Sequence, residues 1–192
     1  MQLVIPHQSH LPSYVAALRQ GWSADTVRGA AAHEELERIE ADADAFLASM
    51  EDRQAKGPPV TLPDGSTVPR LPGFRRWMWD EDEVGDGVGT FAGSINLRWL
   101  PGTTDLPPHC LGHIGYAVVP WKQRRGFATA ALRLILPEAK ALGLPFVVLT
   151  TDADNLPSQR VIEAAGGTLV EHFNKPASYG GKPSLRYRIA LG

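Results

Sequence analysis

The run from His113 to Ala128 constrains this chain more than any other stretch. His113, Ile114, Gly115, Tyr116, Ala117, Val118 and Val119 read as a buried strand, and Pro120, which has no N–H, stops the pairing. Gln123, Arg124, Arg125, Gly126, Phe127 and Ala128 then form a basic, glycine-bearing turn. Behind it Phe127, Ala128, Ala131, Leu132, Ile135, Leu136, Ala139 and Leu142 recur at three- and four-residue steps, the pattern of a helix packed on a sheet. The first turn of a helix carries unpaired N–H groups and about half a positive charge, and Gly126 lets an anion approach the backbone, so the stretch points to a phosphorylated ligand. An ordinary strand-to-helix turn with two solvated arginines would read the same way, because Gln-x-x-Gly-x-Ala fixes only three positions.

The rest of the chain narrows the field. At 192 residues it suits one domain spanning 1–192, able to bury about 70% of its unfolded surface. A net charge of -2 and a pI near 6.3 give no basic footprint, so nucleic acid is not an expected partner. A lone cysteine, Cys110, excludes an internal disulfide and fits a reducing compartment. No stretch reaches the roughly 18 apolar residues of a membrane span, and no charged segment leads into a long apolar run at the N-terminus. The expectation is a soluble, cytoplasmic protein with no membrane partner.

Taken in order, Leu3–Ile5 reads as a strand and Leu11–Gln20 as a helix. From Ala30 to Arg53, Leu36, Ile39, Ala43, Phe46, Leu47 and Met50 form one apolar stripe, which predicts a single amphipathic helix with its acids in water. Gly57–Gly73 is turn-rich and predicts a hairpin or ordered loop. Phe74–Trp79 and Thr90–Leu100 read as antiparallel strands joined by a loop holding Asp80, Glu81, Asp82, Glu83 and Asp86; Trp77, Trp79 and Trp99 suit the core or a sheet face. Pro137 predicts a kink, or a helix ending near Leu136. Beyond it come a central strand over Pro145–Thr151, a helix capped by Asp154 or Asn155 and ended by Gly166 and Gly167, and a terminal antiparallel pair, Thr168–Phe173 with Leu185–Leu191. The fold class is α/β (α+β): a central mixed, mostly antiparallel sheet flanked by helices.

This succession of strand, Pro120, the turn Gln123–Ala128, helix, strand and Asn155 before a further helix resembles the acetyl-CoA-binding half of the GNAT N-acetyltransferase superfamily, specifically over about 112–173. The resemblance implies a splayed strand pair that binds acetyl-CoA as acyl-donor cosubstrate. On that pattern the N–H groups from Arg124 through Thr129, with Gln123, Arg125, Gly126, Phe127 and Ala128 in the same loop, hold the diphosphate. Tyr116, Ala117 and Val118 pair with the pantetheine arm, the Val118 N–H polarises the thioester carbonyl, and Asn155 and Ser158 bond the pantetheine chain. Without a ligand, Asn155 reads as a helix cap and Ser158 as solvated.

The implied reaction is direct attack of a neutral amine on the thioester in a ternary complex, which calls for a base, an oxyanion donor and an acid for the departing sulfur. Many family members place a tyrosine acid seven residues after the asparagine, where this chain has Ile162, and a glutamate base sometimes found before it is Thr150 here. Tyr116 and Tyr187 remain as acids; His113, Glu83, Asp152 and Glu171 remain as bases. The spacing of His109, Cys110 and His113 does not match a closed zinc site, so no metal is expected, and Cys110 reads as buried and inert rather than as an acyl carrier. The expected activity is transfer of acetyl to a small-molecule or peptide primary amine, with a symmetric homodimer as the general prior. The alternatives are a non-catalytic acyl-CoA-binding module of the same fold and a site for another phosphorylated ligand such as a nucleotide.

Overall fold

The computed structural model describes residues 1–25, 28–85 and 88–192, with side chains at all of these except 83–85, 88 and 89. In chain order the elements are β1 (Gln2–Val4), α1 (Leu11–Arg19), α2 (Ala31–Ala41), α3 (Ala43–Ala48), β2 (Glu51–Asp52), β3 (Val60–Thr61), β4 (Thr67–Val68), β5 (Gly73–Gly85) and β6 (Val88–Arg98). They continue with β7 (Ile114–Val118), α4 (Phe127–Ala141), β8 (Phe146–Asp152), α5 (Leu156–Ala164), β9 (Thr168–Asn174) and β10 (Pro183–Ala190).

The strands form two sheets that matter for the site. One runs β1-β5-β6-β7 with β2 also on β5, and the other runs β8-β10-β9; every pairing within them is antiparallel. The larger sheet is covered on both faces because its strands alternate. Met78, Ile95, Leu97 and Ile114 face α4 through Phe127, Leu132 and Ile135. Trp77, Trp79 and Phe91 face the other way, against Leu11, Tyr14, Leu18 and Phe46 of α1 and α3. Tyr14 stacks on Trp77 with ring centroids 4.3 Å apart. Among the described residues no helix is long and apolar enough to cross a membrane.

Several expectations are corrected. The helix expected over Ala30–Arg53 is two helices and a strand. Asp42 is extended, and its carboxylate accepts from the Ala45 N–H at 2.9 Å, capping α3 and so breaking the run; Glu51 and Asp52 then pair with β5. Glu35 does not face water: it accepts from the Tyr14 hydroxyl and pairs with Arg75. The expected acidic loop is largely strand, since β5 continues to Gly85, and Asp80 is buried. Asp86 and the side chain of Glu83 lie outside the described residues. Helix α4 runs through Pro137 to Ala141 rather than ending at Leu136. β8 is not a central strand, because among the described strands it forms a ladder with β10 alone and its other edge, past a contact at Val148, is open.

Candidate active site

That open edge belongs to a wedge between the two sheets. β7 and β8 meet where the His113 N–H donates to Val148 O at 2.7 Å and the Val148 N–H donates to His113 Nδ1 at 3.0 Å. Gly112 allows this approach, since a Cβ there would stand 3.0 Å from Val148 O. Beyond the joint the strands are not paired. On the β6 side, Arg98 N–H donates to His113 O at 2.9 Å and Val119 N–H to Ala92 O at 3.0 Å. By antiparallel alternation the odd-numbered residues of β7 therefore bond β6, and the amides of Tyr116 and Val118 face the wedge. Gly93 lets β6 lie close beneath this edge: a Cβ there would stand 2.9 Å from Val118 Cα.

The strand leads through a 3-10 turn, Pro120–Lys122, into the predicted anion turn. Arg124 (φ 61) and Gly126 (φ 83) are both left-handed, and Gly126 is the N-cap of α4. The first helical bond there runs from the Ala130 N–H to Gly126 O at 3.0 Å, so Phe127, Ala128 and Thr129 have N–H groups without a helical acceptor. Gln123 Nε2 donates to Val118 O at 3.4 Å, tying the turn to the strand. Arg125 bonds Asp80 at 3.0 Å and lies over the Phe127 ring, so its charge is already partnered.

Asp80 also holds Lys122 at 3.1 Å, and both are nearly inaccessible, at 1% and 2%. Burial alone would raise the Asp80 carboxyl, but the bond from Lys122 and the charges of Lys122 and Arg125 outweigh it and hold Asp80 below its ordinary value.

On the α5 side, Asn155 caps the helix by accepting from the Ser158 N–H at 3.1 Å. Ser158 is not simply solvated: its Oγ lies 2.9 Å from the Tyr116 hydroxyl. Tyr116, Thr150, Asp152, Asn155, Ser158 and Lys175 line a cavity of about 200 Å³ between the splayed strands. Burial pushes the Tyr116 phenol up to about 12 despite the Ser158 bond. Ile162 is buried in the core beside this cavity.

The proposed bases fare differently. His113 is 1% exposed, its Nδ1 is consumed as an acceptor, and burial followed by the charge of Arg98 lowers its pKa to about 4. Asp152 is ion-paired with Lys175, and Glu171 with Arg186. Tyr187 is buried and donates to Glu163 Oε1 at 3.2 Å. Burial raises the Cys110 thiol, keeping it protonated. Among the described residues no group of three or more His, Cys, Asp or Glu is arranged to hold a metal.

Sequence reasoning missed Lys122, Lys175 and Arg98. For Arg98 a signal existed: Ser94, Asn96 and Arg98 alternate with Ile95 and Leu97, giving an otherwise apolar strand one polar face.

A family model described as an acetyltransferase (GNAT) domain matches residues 35–168, more than half of the chain. The chain belongs to the GNAT acetyltransferase family. Solved structures agree on the fold. One is a ribosomal L7/L12 alpha-N-protein acetyltransferase, RimL, in complex with coenzyme A (12% identity, TM-score 0.57, covering 98% of this chain and 92% of that one). The microcin C7 self-immunity acetyltransferase MccE in complex with acetyl-CoA and AMP is similar at 14% identity and TM-score 0.56, covering 98% and 91%. A variant of the spermidine N-acetyltransferase SpeG from Vibrio cholerae matches at 13% identity and TM-score 0.56, covering 100% and 95%. A comparison with curated proteins gives no match to the sequence. The wedge between β7 and β8 lies within the matched region, as does the turn opening α4.

Proposed function

We propose that this GNAT chain is an N-acetyltransferase that uses acetyl-CoA as acyl donor and passes the acetyl group to a primary amine by direct attack in a ternary complex. The observation that carries the reading is the open edge of β7, whose Tyr116 and Val118 amides face the wedge and lead directly into the left-handed turn at Gly126. An extended amide-bearing arm can pair with that edge as a further strand would. A diphosphate suits the N–H groups of residues 124–129 and the positive end of α4.

Acetyl-CoA supplies the reactive thioester, and the protein's residues supply the rest. The outward Val118 N–H is the donor for the carbonyl oxygen as negative charge develops there, while the Tyr116 N–H, about 7 Å along the same edge, pairs with the amide-bearing arm. The Tyr116 hydroxyl, protonated at neutral pH and held by Ser158, is the donor for the departing sulfur, in place of the tyrosine that Ile162 replaces. The available proton donor favours catalysis over a binding-only role. His113, with Nδ1 occupied and a low pKa, is a joint between the sheets rather than a base, so the amine proton leaves through water. Asn155 retains its Nδ2 donors for the pantetheine chain while its oxygen caps α5.

The test combines calorimetry with acetyl-CoA and CoA and an amine screen that follows CoA release. Micromolar binding with amine-dependent release is expected. Absence of CoA binding overturns the reading, and binding without release across the screen reduces the chain to an acyl-CoA-binding module.

A further inference from the structure

On the face of the larger sheet opposite α4, next to the joint, lies a polar cluster that the chemistry above does not use. Arg98 and His113 are cross-strand neighbours at the ends of β6 and β7. His113 is buried, and because its Nδ1 accepts from Val148, the ring proton sits on Nε2, which has no partner. The half-buried Arg98 has a buried Nε without a partner, and its guanidinium enters no ion pair among the described residues. The Arg98 Nη2 atom lies over the next part of β7, 3.1 Å from where a Cβ on Gly115 would stand. His109 Nε2 is a further buried nitrogen without a partner, and its carbonyl accepts from the Tyr179 hydroxyl at 2.7 Å, which brings the β9–β10 loop against the cluster.

Arg98 Nε and His113 Nε2 are partnerless donors on adjacent strands, and the side chain beside the Arg98 guanidinium, the Cys110 thiol, is neutral and leaves its charge unbalanced, an arrangement that suits an oxyanion. The charge balance selects the kind of ligand. Among the described residues of the cluster Arg98 is the one cation and the low pKa keeps His113 neutral, so the site suits a monoanion rather than a phosphate, the more so because the charges of Asp25 and Asp64 reach Tyr179 on the neighbouring loop. Its position adds a length: Gly115 lies one residue from Tyr116 and three from Val118, which on an extended strand is roughly 3–10 Å from the edge where the acyl group would react.

We propose that Arg98 and His113 hold a carboxylate of the acyl acceptor, so that the acceptor is an amine carrying its own carboxylate a few bonds from the nitrogen, an amino acid or a close analogue. This rests on the acetyltransferase reading for its role, but the subsite can be tested without turnover. The protein, alone and saturated with CoA, is titrated calorimetrically with amino acids, with β-alanine and 4-aminobutyrate, and with the carboxamide of each. The Arg98→Met and Arg98→Lys variants are carried in parallel, and their CoA affinity reports that the fold is intact.

At least one carboxylate should bind about 10- to 100-fold more tightly than its amide, the range for one charge-assisted contact. Arg98→Met should abolish that difference with CoA affinity unchanged, Arg98→Lys should keep part of it, and kcat/KM should follow the same order. Equal binding of acid and amide, or a preference that survives Arg98→Met, overturns the subsite while leaving the acetyltransferase reading standing. Tighter binding of aminoalkylphosphonates than of carboxylates overturns the choice of anion. Loss of CoA binding by the wild type overturns the acetyltransferase reading, and the titration of protein alone then still decides whether Arg98 binds a carboxylate.

Discussion

The Tyr116 hydroxyl on β7 lies 2.9 Å from Ser158 Oγ on α5, so one hydrogen bond spans the wedge that the splayed strands open. The phenol reaches the helix that carries Ile162, one turn before it. Tyr116→Phe should therefore lower kcat by about 100-fold, the lower end for loss of a general acid because a thiolate leaves readily, while KM for acetyl-CoA stays nearly constant. Ser158→Ala, which loosens the phenol without removing it, should cost less.

The same residue sets a pH dependence. Burial raises the Tyr116 pKa from 10.0 to about 12, so the proton donor is present throughout the neutral and mildly alkaline range and is lost only as pH rises through about 12. Because the folded value lies above the unfolded one, its stabilising contribution is complete below pH 10 and disappears over the same rise. A pH–rate profile should show no loss of kcat from this group between pH 8 and about 10. A fall centred near pH 10 that vanishes in Tyr116→Phe would count against a buried acid.

Asp80 anchors the turn from beneath. Asp80→Asn removes one carboxylate from the buried Lys122, which is 2% exposed, and should destabilise the protein by about 1–3 kcal/mol in chemical denaturation. CoA affinity should fall with it, since Arg125 loses the same partner. Arg125→Met, at a position 43% exposed, should change stability by no more than about 1 kcal/mol. The folded Asp80 pKa lies below 3.8, so its contribution is present above that value and is lost as pH falls through the folded pKa. The difference between wild type and Asp80→Asn should accordingly persist from neutral pH to about 4 and shrink below it.

The parts of the site readable in the sequence were those governed by local rules. Pro120 ends a strand, Gly126 accepts a left-handed conformation before a helix, and Asn155 caps the next helix whatever else surrounds them. The misread parts depend on partners far along the chain. Asp80 and Glu35 look like solvated acids until β6 and β7 bring Lys122 beneath one, and α1 and β5 bring Tyr14 and Arg75 to the other. The apolar run of β8 is the same for a central strand as for one lining a wedge, because composition does not record which edge stays unpaired. The broken helix at Asp42 is an intermediate case: the cap was there to be read, but the apolar stripe continued across it.

Gly126 separates conformation from crowding. A Cβ there meets nothing within 4 Å, but φ is +83°. Gly126→Ala should thus fold with a loss of about 1–2 kcal/mol from the left-handed backbone alone. If the turn holds a diphosphate, CoA should bind several-fold more weakly to Gly126→Ala, and Gly126→Val should bind it more weakly still. Equal CoA affinity in all three proteins, measured calorimetrically, would remove the turn from the cofactor site.

Gly93 tests the open edge itself. A methyl group there would fall inside van der Waals contact with Ala117 O and 2.9 Å from Val118 Cα, and both contacts are backbone, so β7 rather than a side chain must yield. β7 is held to β6 on one side only, and its opposite edge is unpaired beyond His113, so the displacement runs into the wedge. Gly93→Ala should cost about 1–3 kcal/mol in stability, as other overpacked sites do. Its functional effect should exceed that cost, because the Val118 amide moves relative to the turn that Gln123 ties to the Val118 carbonyl. We expect kcat/KM for acetyl-CoA to fall by at least about 10-fold under conditions where the variant is fully folded, since a misplacement of about 1 Å is enough for a loss of that order. A folded Gly93→Ala variant with wild-type kinetics would mean that the amides of β7 do not position the acyl donor.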